Sequence, residues 1–162
     1  MVLIGIGSNL YSNKFGTPLN NCNEALKEIE KCFKIKKKSS WYKSEPIPQS
    51  DQPWFINGII EIVFDSKDPL ELLKKLNQIE KRFGRVRKEL NEARILDLDI
   101  IDFKSQVITC TELTIPHPRM HKRKFVLLPI EEINPKWIHP IFKKKINKII
   151  EAIDDNQKII KI

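Results

Sequence analysis

An α+β fold of the ferredoxin-like split βαβ kind, an antiparallel sheet flanked by helices, is the class that this 162-residue sequence predicts. Three observations predict it. Strand-length apolar runs and amphipathic stretches alternate as strand, helix, strand, then strand, helix, strand, an order that places helices on one face of the sheet. Apolar residues are 41% of the chain, enough at this length for one core and no more, so residues 1–162 read as a single domain. No internal repeat or low-complexity linker breaks that unit.

Residues 2–7 (VLIGIG) form a short apolar β run that leaves the sheet through Gly7-Ser8-Asn9, where Ser8 and Asn9 read as turn formers. A polar loop over 10–18 precedes an amphipathic helix over 19–33, with Leu19, Leu26, Ile29 and Phe33 at helical spacing. Residues 35–42 read as one strand with a basic exposed face. Three prolines in residues 44–54 (SEPIPQSDQPW) forbid a regular element, and a loop this long in a small domain is often functional. Residues 55–65 return to strand. Asp68-Pro69 reads as an N-cap followed by proline at the first helical position, opening a helix that ends near Gly84.

The stretch 84–103 (GRVRKELNEARILDLDIIDF) organises the rest. Its first half has no helical or alternating period and reads as a basic loop; its second half, 95–103, reads as a buried strand. Beyond it come a small hairpin from 106–108 and 113–115, a rigid Pro116-His117-Pro118-Arg119 turn, a helix over 125–133, a helix over 146–153 and a terminal strand or tail.

On that strand successive side chains alternate, so Asp97 and Asp99 share one face and Leu96, Leu98 and Ile100 the other. The two carboxylates then lie about 7 Å apart along the strand, at about 3.3 Å of rise per residue. Two acids aimed alike from a core strand repel each other unless a cation joins them. Carboxylate oxygens completed by water and phosphate are what Mg²⁺ takes, and the guanidinium and ammonium groups just upstream suit the same phosphates.

A formal charge of +8 fits an anionic partner, whereas Lys36-Lys37-Lys38 and Lys143-Lys144-Lys145 read as solvated faces. Cys22, Cys32 and Cys110 are odd in number and lack metal-ligand spacing, which indicates neither a disulfide framework nor a zinc site. Without a signal-peptide pattern or an apolar run of membrane length, the expectation is a cytoplasmic, monomeric protein.

Four segments together resemble the 6-hydroxymethyl-7,8-dihydropterin pyrophosphokinase family of folate biosynthesis. They are Ile6-Gly7-Ser8-Asn9-Leu10; Asp51-Gln52-Pro53 leading to Phe55 and Asn57; Gly84-Arg85-Val86-Arg87-Lys88 with Arg94 and Asp97-Leu98-Asp99; and Leu113-Thr114-Ile115-Pro116-His117 with Arg123 and Phe125. The resemblance runs over about residues 1–135. It implies transfer of pyrophosphate from ATP, the co-substrate, to a reduced pterin alcohol. It further implies two Mg²⁺ ions on Asp97 and Asp99, with Arg85, Arg94, Asp97 and Asp99 catalytic. Glu80, Arg85, Arg87, Lys88, Arg94, Ile100, Thr114, His117 and Arg123 match positions that bind ATP. Ser44, Ile47, Phe55, Asn57, Asp97 and Phe125 match positions that bind the pterin. No nucleic acid or membrane partner is implied.

The chain departs from the family pattern in two places. Asn91-Glu92-Ala93 stands before Arg94 where the family usually has an aromatic or basic residue and Gly-Pro, one residue longer, and Glu112 stands at an often basic position. His121 and His139 match nothing, and Arg119 is left without an assigned role. Two other readings compete. A basic split βαβ domain is also the architecture of RNA-recognition modules, but the aromatic central-strand motif is missing. A two-metal nuclease or nucleotidyltransferase fits the acid pair and gives no reason for Phe55 and Phe125.

Overall fold

Val2, Ile4 and Ile6 enter one core and Leu3 another, so alternation along the first strand decides what covers each face of the sheet. The computed structural model describes residues 1–84, 95–153 and 156–162. Strand β1 (Val2–Ser8) pairs antiparallel with β4 (Phe55–Ile62) on one side and β5 (Asp97–Phe103) on the other. The sheet runs β5-β1-β4-β3-β8, where β3 is Tyr42–Ser44 and β8 is Ile159–Lys161; β2 (Ile35–Lys38) joins β4 beside β3. Strands β6 (Ile108–Thr109) and β7 (Thr114–Ile115) form a separate hairpin.

Helix α1 (Pro18–Cys32) starts at Thr17, whose hydroxyl accepts the Asn20 N–H, and α2 (Pro69–Arg82) at Asp68, whose carboxylate accepts the Leu70 N–H at 2.9 Å. Their apolar stripes, Cys22, Ala25 and Ile29 with Leu72, Leu76 and Ile79, pack on Ile4, Ile6, Ile60, Leu98 and Ile100. On the opposite face α3 (Lys124–Ile133) and α4 (Ile146–Glu151) cover Leu3, Ile59 and Ile101. Helices therefore flank both faces rather than the one expected. The physical reason is that second apolar set, in which each side chain gains about 2 kcal/mol from being covered.

The single strand expected over 35–42 is broken in two. Trp41 lies across β4 so closely that a Cβ at Gly58 would meet its ring at 2.6 Å. Ser39 meanwhile turns its hydroxyl inward to accept the Ile59 N–H at 3.0 Å.

Beside the site, β5 carries an irregularity opposite Leu3 and Ile4. There the buried Asp102 accepts from Trp137 Nε1 at 2.7 Å and from the Ser105 N–H at 2.9 Å. Burial raises its pKa despite those bonds.

Glu132 fastens α3 to the far strands: it accepts from the Ser40 N–H and hydroxyl, the Tyr42 hydroxyl at 2.8 Å and Lys161 Nζ at 3.1 Å. Burial alone would push its pKa up, but these donors outweigh burial and bring it from 4.5 to about 2. A depressed carboxylate contributes stability above its unfolded pKa and loses that contribution as pH falls through its folded one. Glu132→Gln is thus expected to cost about 2 kcal/mol at neutral pH. In urea titrations the gap from the parent should close between pH 4.5 and about 2; a gap of constant size over that window would contradict the assignment.

Candidate active site

Glycines open the floor of the site. In the antiparallel register Gly7 lies between Asn57 on β4 and Asp97 on β5, and Gly5 lies between Ile59 and Asp99. Cross-strand partners share a face, so Asn57, Gly7 and Asp97 form one row and Ile59, Gly5 and Asp99 the next. A side chain at either glycine would fill that floor: a Cβ on Gly7 would stand 3.2 Å from Asn57 Oδ1, and one on Gly5 would stand 3.2 Å from Ile101 Cδ1. The resulting cleft holds about 210 Å³. The signal was present in the sequence as glycines two residues apart on a strand, on one face, but was read only as a turn at Gly7.

Three walls close the cleft. β5 supplies Asp97 and Asp99, both half-buried and on one face as the alternation requires, with Leu98 and Ile100 buried on the other. The proline loop supplies Ile47 and Gln52, and the start of β4 supplies Phe55 and Asn57. The third wall, running from β7 into α3, supplies His117, Arg119, Arg123 and Phe125. Asn9, read as a turn former, instead ties β1 to the proline loop through Gln52 Oε1 at 3.2 Å and the Pro53 carbonyl at 3.3 Å.

The amide of Asn57 is held from behind, where its Nδ2 donates to the buried Ser44 hydroxyl at 2.9 Å. Ser44 therefore stands behind Asn57 and not among the residues that line the cleft. Phe125 sits in the first turn of α3, and the Arg123 guanidinium lies 5.4 Å from its ring centre, a cation over an aromatic face.

His117 is placed by its backbone: its N–H donates to the Ile101 carbonyl at 3.0 Å. The Arg119 N–H donates to His117 Nδ1 at 3.2 Å, which leaves the ring proton on Nε2. Burial, then the positive charges of Arg123 and Arg119, lower its pKa to about 4 against a smaller opposing pull from Asp97. At neutral pH the imidazole is uncharged, and Nε2 is a hydrogen-bond donor.

Not every residue expected at the site lines the cleft. Ile100 is 3% exposed in the opposite core. Thr114 is half-buried and paired with Thr109. Glu80 is 2% exposed and accepts the Leu98 N–H at 2.7 Å. Arg85, Arg87, Lys88 and Arg94, with the basic loop they were assigned to, lie outside the described residues. Arg119 is a cleft residue that sequence reasoning left without a role. His121 and His139 pack with Phe142 apart from the cleft.

Chemically, the cleft joins an apolar, aromatic end bearing the Asn57 amide to the Asp97 and Asp99 carboxylates and a cationic wall. Asp97 and Asp99 are the residues that could hold a divalent ion. No group of three His, Cys, Asp or Glu gathers among the described residues, so an ion on this pair would draw further ligands from water or phosphate, as Mg²⁺ does. On β1 and β5 the residues that face the cleft are glycines and aspartates, not the stacking aromatics that an RNA-recognition module carries on its central strands.

Comparison with known proteins bears on the same region. A family model described as 7,8-dihydro-6-hydroxymethylpterin-pyrophosphokinase matches residues 3–135. The 2-amino-4-hydroxy-6-hydroxymethyldihydropteridine pyrophosphokinase of Haemophilus influenzae is 37% identical over 158 residues, covering 96% of this chain and 94% of that one. The protein of the same name from Synechocystis sp. is 38% identical over 154 residues, covering 94% and 75%. Among solved structures, Plasmodium falciparum HPPK-DHPS with pteroate superposes with a TM-score of 0.71 at 15% identity, a likeness of fold. The match covers 93% of this chain and 41% of that longer one. With a model match over most of its length and two relatives above one-third identity that it matches over three-quarters or more of their own length, the chain belongs to the 7,8-dihydro-6-hydroxymethylpterin-pyrophosphokinase family.

Proposed function

We propose that this protein transfers the β,γ-pyrophosphoryl group of ATP to the hydroxymethyl oxygen of 6-hydroxymethyl-7,8-dihydropterin, releasing AMP, as a step of folate biosynthesis. The observation that carries the reading is the continuity of one cleft: Phe55, Asn57 and Phe125 lie at its walls together with Asp97, Asp99, His117 and Arg123. A flat heteroaromatic alcohol and a polyphosphate each find suitable chemistry there, side by side.

The pterin ring stacks against Phe55 and Phe125, and Asn57, its Nδ2 engaged by Ser44, turns Oδ1 toward the ring's N–H edge. Ile47 closes the apolar end. Neutral His117 donates through Nε2 to a phosphate oxygen, and Arg123 and Arg119 balance the charge that spreads over the transferred group. Arg85, Arg87, Lys88 and Arg94 belong to the same polyphosphate site in this reading, and Thr114 to its outer edge. Asp97 and Asp99 would hold two Mg²⁺ ions, which when bound neutralise triphosphate charge and make the pterin hydroxyl more acidic. The walls hold the acceptor oxygen near the β-phosphate in place of water, so positioning carries much of the rate.

The reading extends to a cytoplasmic monomer of one domain with no nucleic-acid partner; no helix among the described residues is long and apolar enough to cross a membrane. The test is incubation with Mg-ATP and the reduced pterin alcohol. Pterin-dependent AMP supports the proposal, whereas ADP or no turnover rejects it. Tight RNA binding without turnover would favour the binding-module reading, and hydrolysis of ATP or nucleic acid without pterin would favour the two-metal nuclease.

A further inference from the structure

Glu80 is a buried carboxylate in the last turn of α2, where the helix dipole and desolvation both oppose its charge. Its Oε1 accepts the N–H of Leu98 at 2.7 Å, the length of a charge-assisted bond. Leu98 is the residue between Asp97 and Asp99. Among the described residues β5 is an edge strand of the larger sheet, so one row of its backbone groups meets no neighbouring strand there. The Leu98 N–H belongs to that row, and Glu80 takes the place of the missing strand at that point. One residue to either side, the Asp97 and Asp99 side chains leave the strand for the cleft, while Leu98 is buried beside Leu76 and Ile79 of α2.

We propose that Glu80 is a positioning residue for the metal-binding aspartates: by clamping the Leu98 amide it fixes the pleat of β5, so that both carboxylates aim into the cleft at one spacing. The proposal rests on the pyrophosphokinase reading and assigns Glu80 a place behind the strand, where the family resemblance placed it at ATP. A one-residue slip of this edge strand would turn both acids away from the cleft together, because adjacent positions point to opposite faces. Backbone support of a ligand-bearing strand acts like the hydrogen bonds that orient ligating side chains from behind.

Reach and charge can be separated. Glu80→Gln keeps an oxygen at the same distance, whereas Glu80→Asp keeps the charge but falls one methylene short of the amide. Mn²⁺ binding is read by electron paramagnetic resonance in the presence of α,β-methylene-ATP, and exchange of the Leu98 amide by NMR. For Glu80→Asp the expected result is an about 10- to 100-fold loss of Mn²⁺ affinity. Faster Leu98 exchange and a lower kcat at unchanged pterin KM should accompany that loss. Glu80→Gln, which keeps the reach but trades the charge-assisted bond for a weaker neutral one, should fall between the parent and Glu80→Asp in all three. The opposite order, loss in Gln and retention in Asp, would overturn the proposal. So would unchanged Mn²⁺ affinity in Glu80→Asp, or an equal loss of nucleotide affinity with and without Mn²⁺, which would make Glu80 a nucleotide contact. A parent that binds Mn²⁺ and the analogue but forms no AMP would sink the pyrophosphokinase reading and leave this one standing.

Discussion

Asp97→Ala is expected to lower kcat by at least about a thousandfold, some 4 kcal/mol of barrier, while the protein stays folded. The side chain leaves β5 into the cleft and contributes nothing to either apolar core, so its loss opens no packed cavity. It does remove one of the two carboxylates that can face a divalent ion, and with it the means to balance polyphosphate charge as the bond to the leaving AMP breaks. Asp97→Asn keeps the shape and loses the charge; it should fall nearly as far, which separates charge from bulk. Circular dichroism and a thermal melt check the fold, and initial rates of AMP formation check the chemistry. Activity within about tenfold of the parent, roughly 1.4 kcal/mol, would end the metal-ligand assignment.

Phe125→Ala is expected to damage both halves of the cleft at once. In the proposed function its ring is one flat wall for the pterin, and removing such a contact costs about 2 kcal/mol, roughly a 30-fold rise in pterin KM. The same ring lies beneath the Arg123 guanidinium at 5.4 Å, so the cation loses its rest and kcat should fall as well. Phe55, at the start of β4, is paired through its backbone to Ser44, and no cation among the described residues packs on it. Phe55→Ala should therefore raise pterin KM by a similar factor and leave kcat nearly alone. Steady-state rates with each substrate varied in turn distinguish the two, and identical profiles for both variants would show that Phe125 does not organise Arg123.

Local pattern carried far in this chain. The Asp68-Pro69 start of α2 and the amphipathic spacing of α1 are short-range effects of capping and side-chain period, and the structure repeats them within a residue or two. The shared face of Asp97 and Asp99 follows from strand alternation, and the motif resemblance supplied the partners that alternation could not name. Where expectation and structure part, a long-range contact is responsible. Trp41 on Gly58 splits the strand over 35–42, and the burial of Leu3, Ile59 and Ile101 draws α3 and α4 onto a second face. Ile100 was placed at the nucleotide, yet its side chain faces the α1 and α2 core.

Residue order alone settled the type of each long element, the common aim of the two aspartates and the family, since each depends on neighbours within a few positions or on motifs in line. Tertiary structure alone decided that Gly5 and Gly7 clear a floor between β4 and β5, that Ser44 steadies Asn57, and that Glu80 grips β5 from behind. Those facts turn on register and on contacts between residues 13 or more apart in the chain, which no local period encodes.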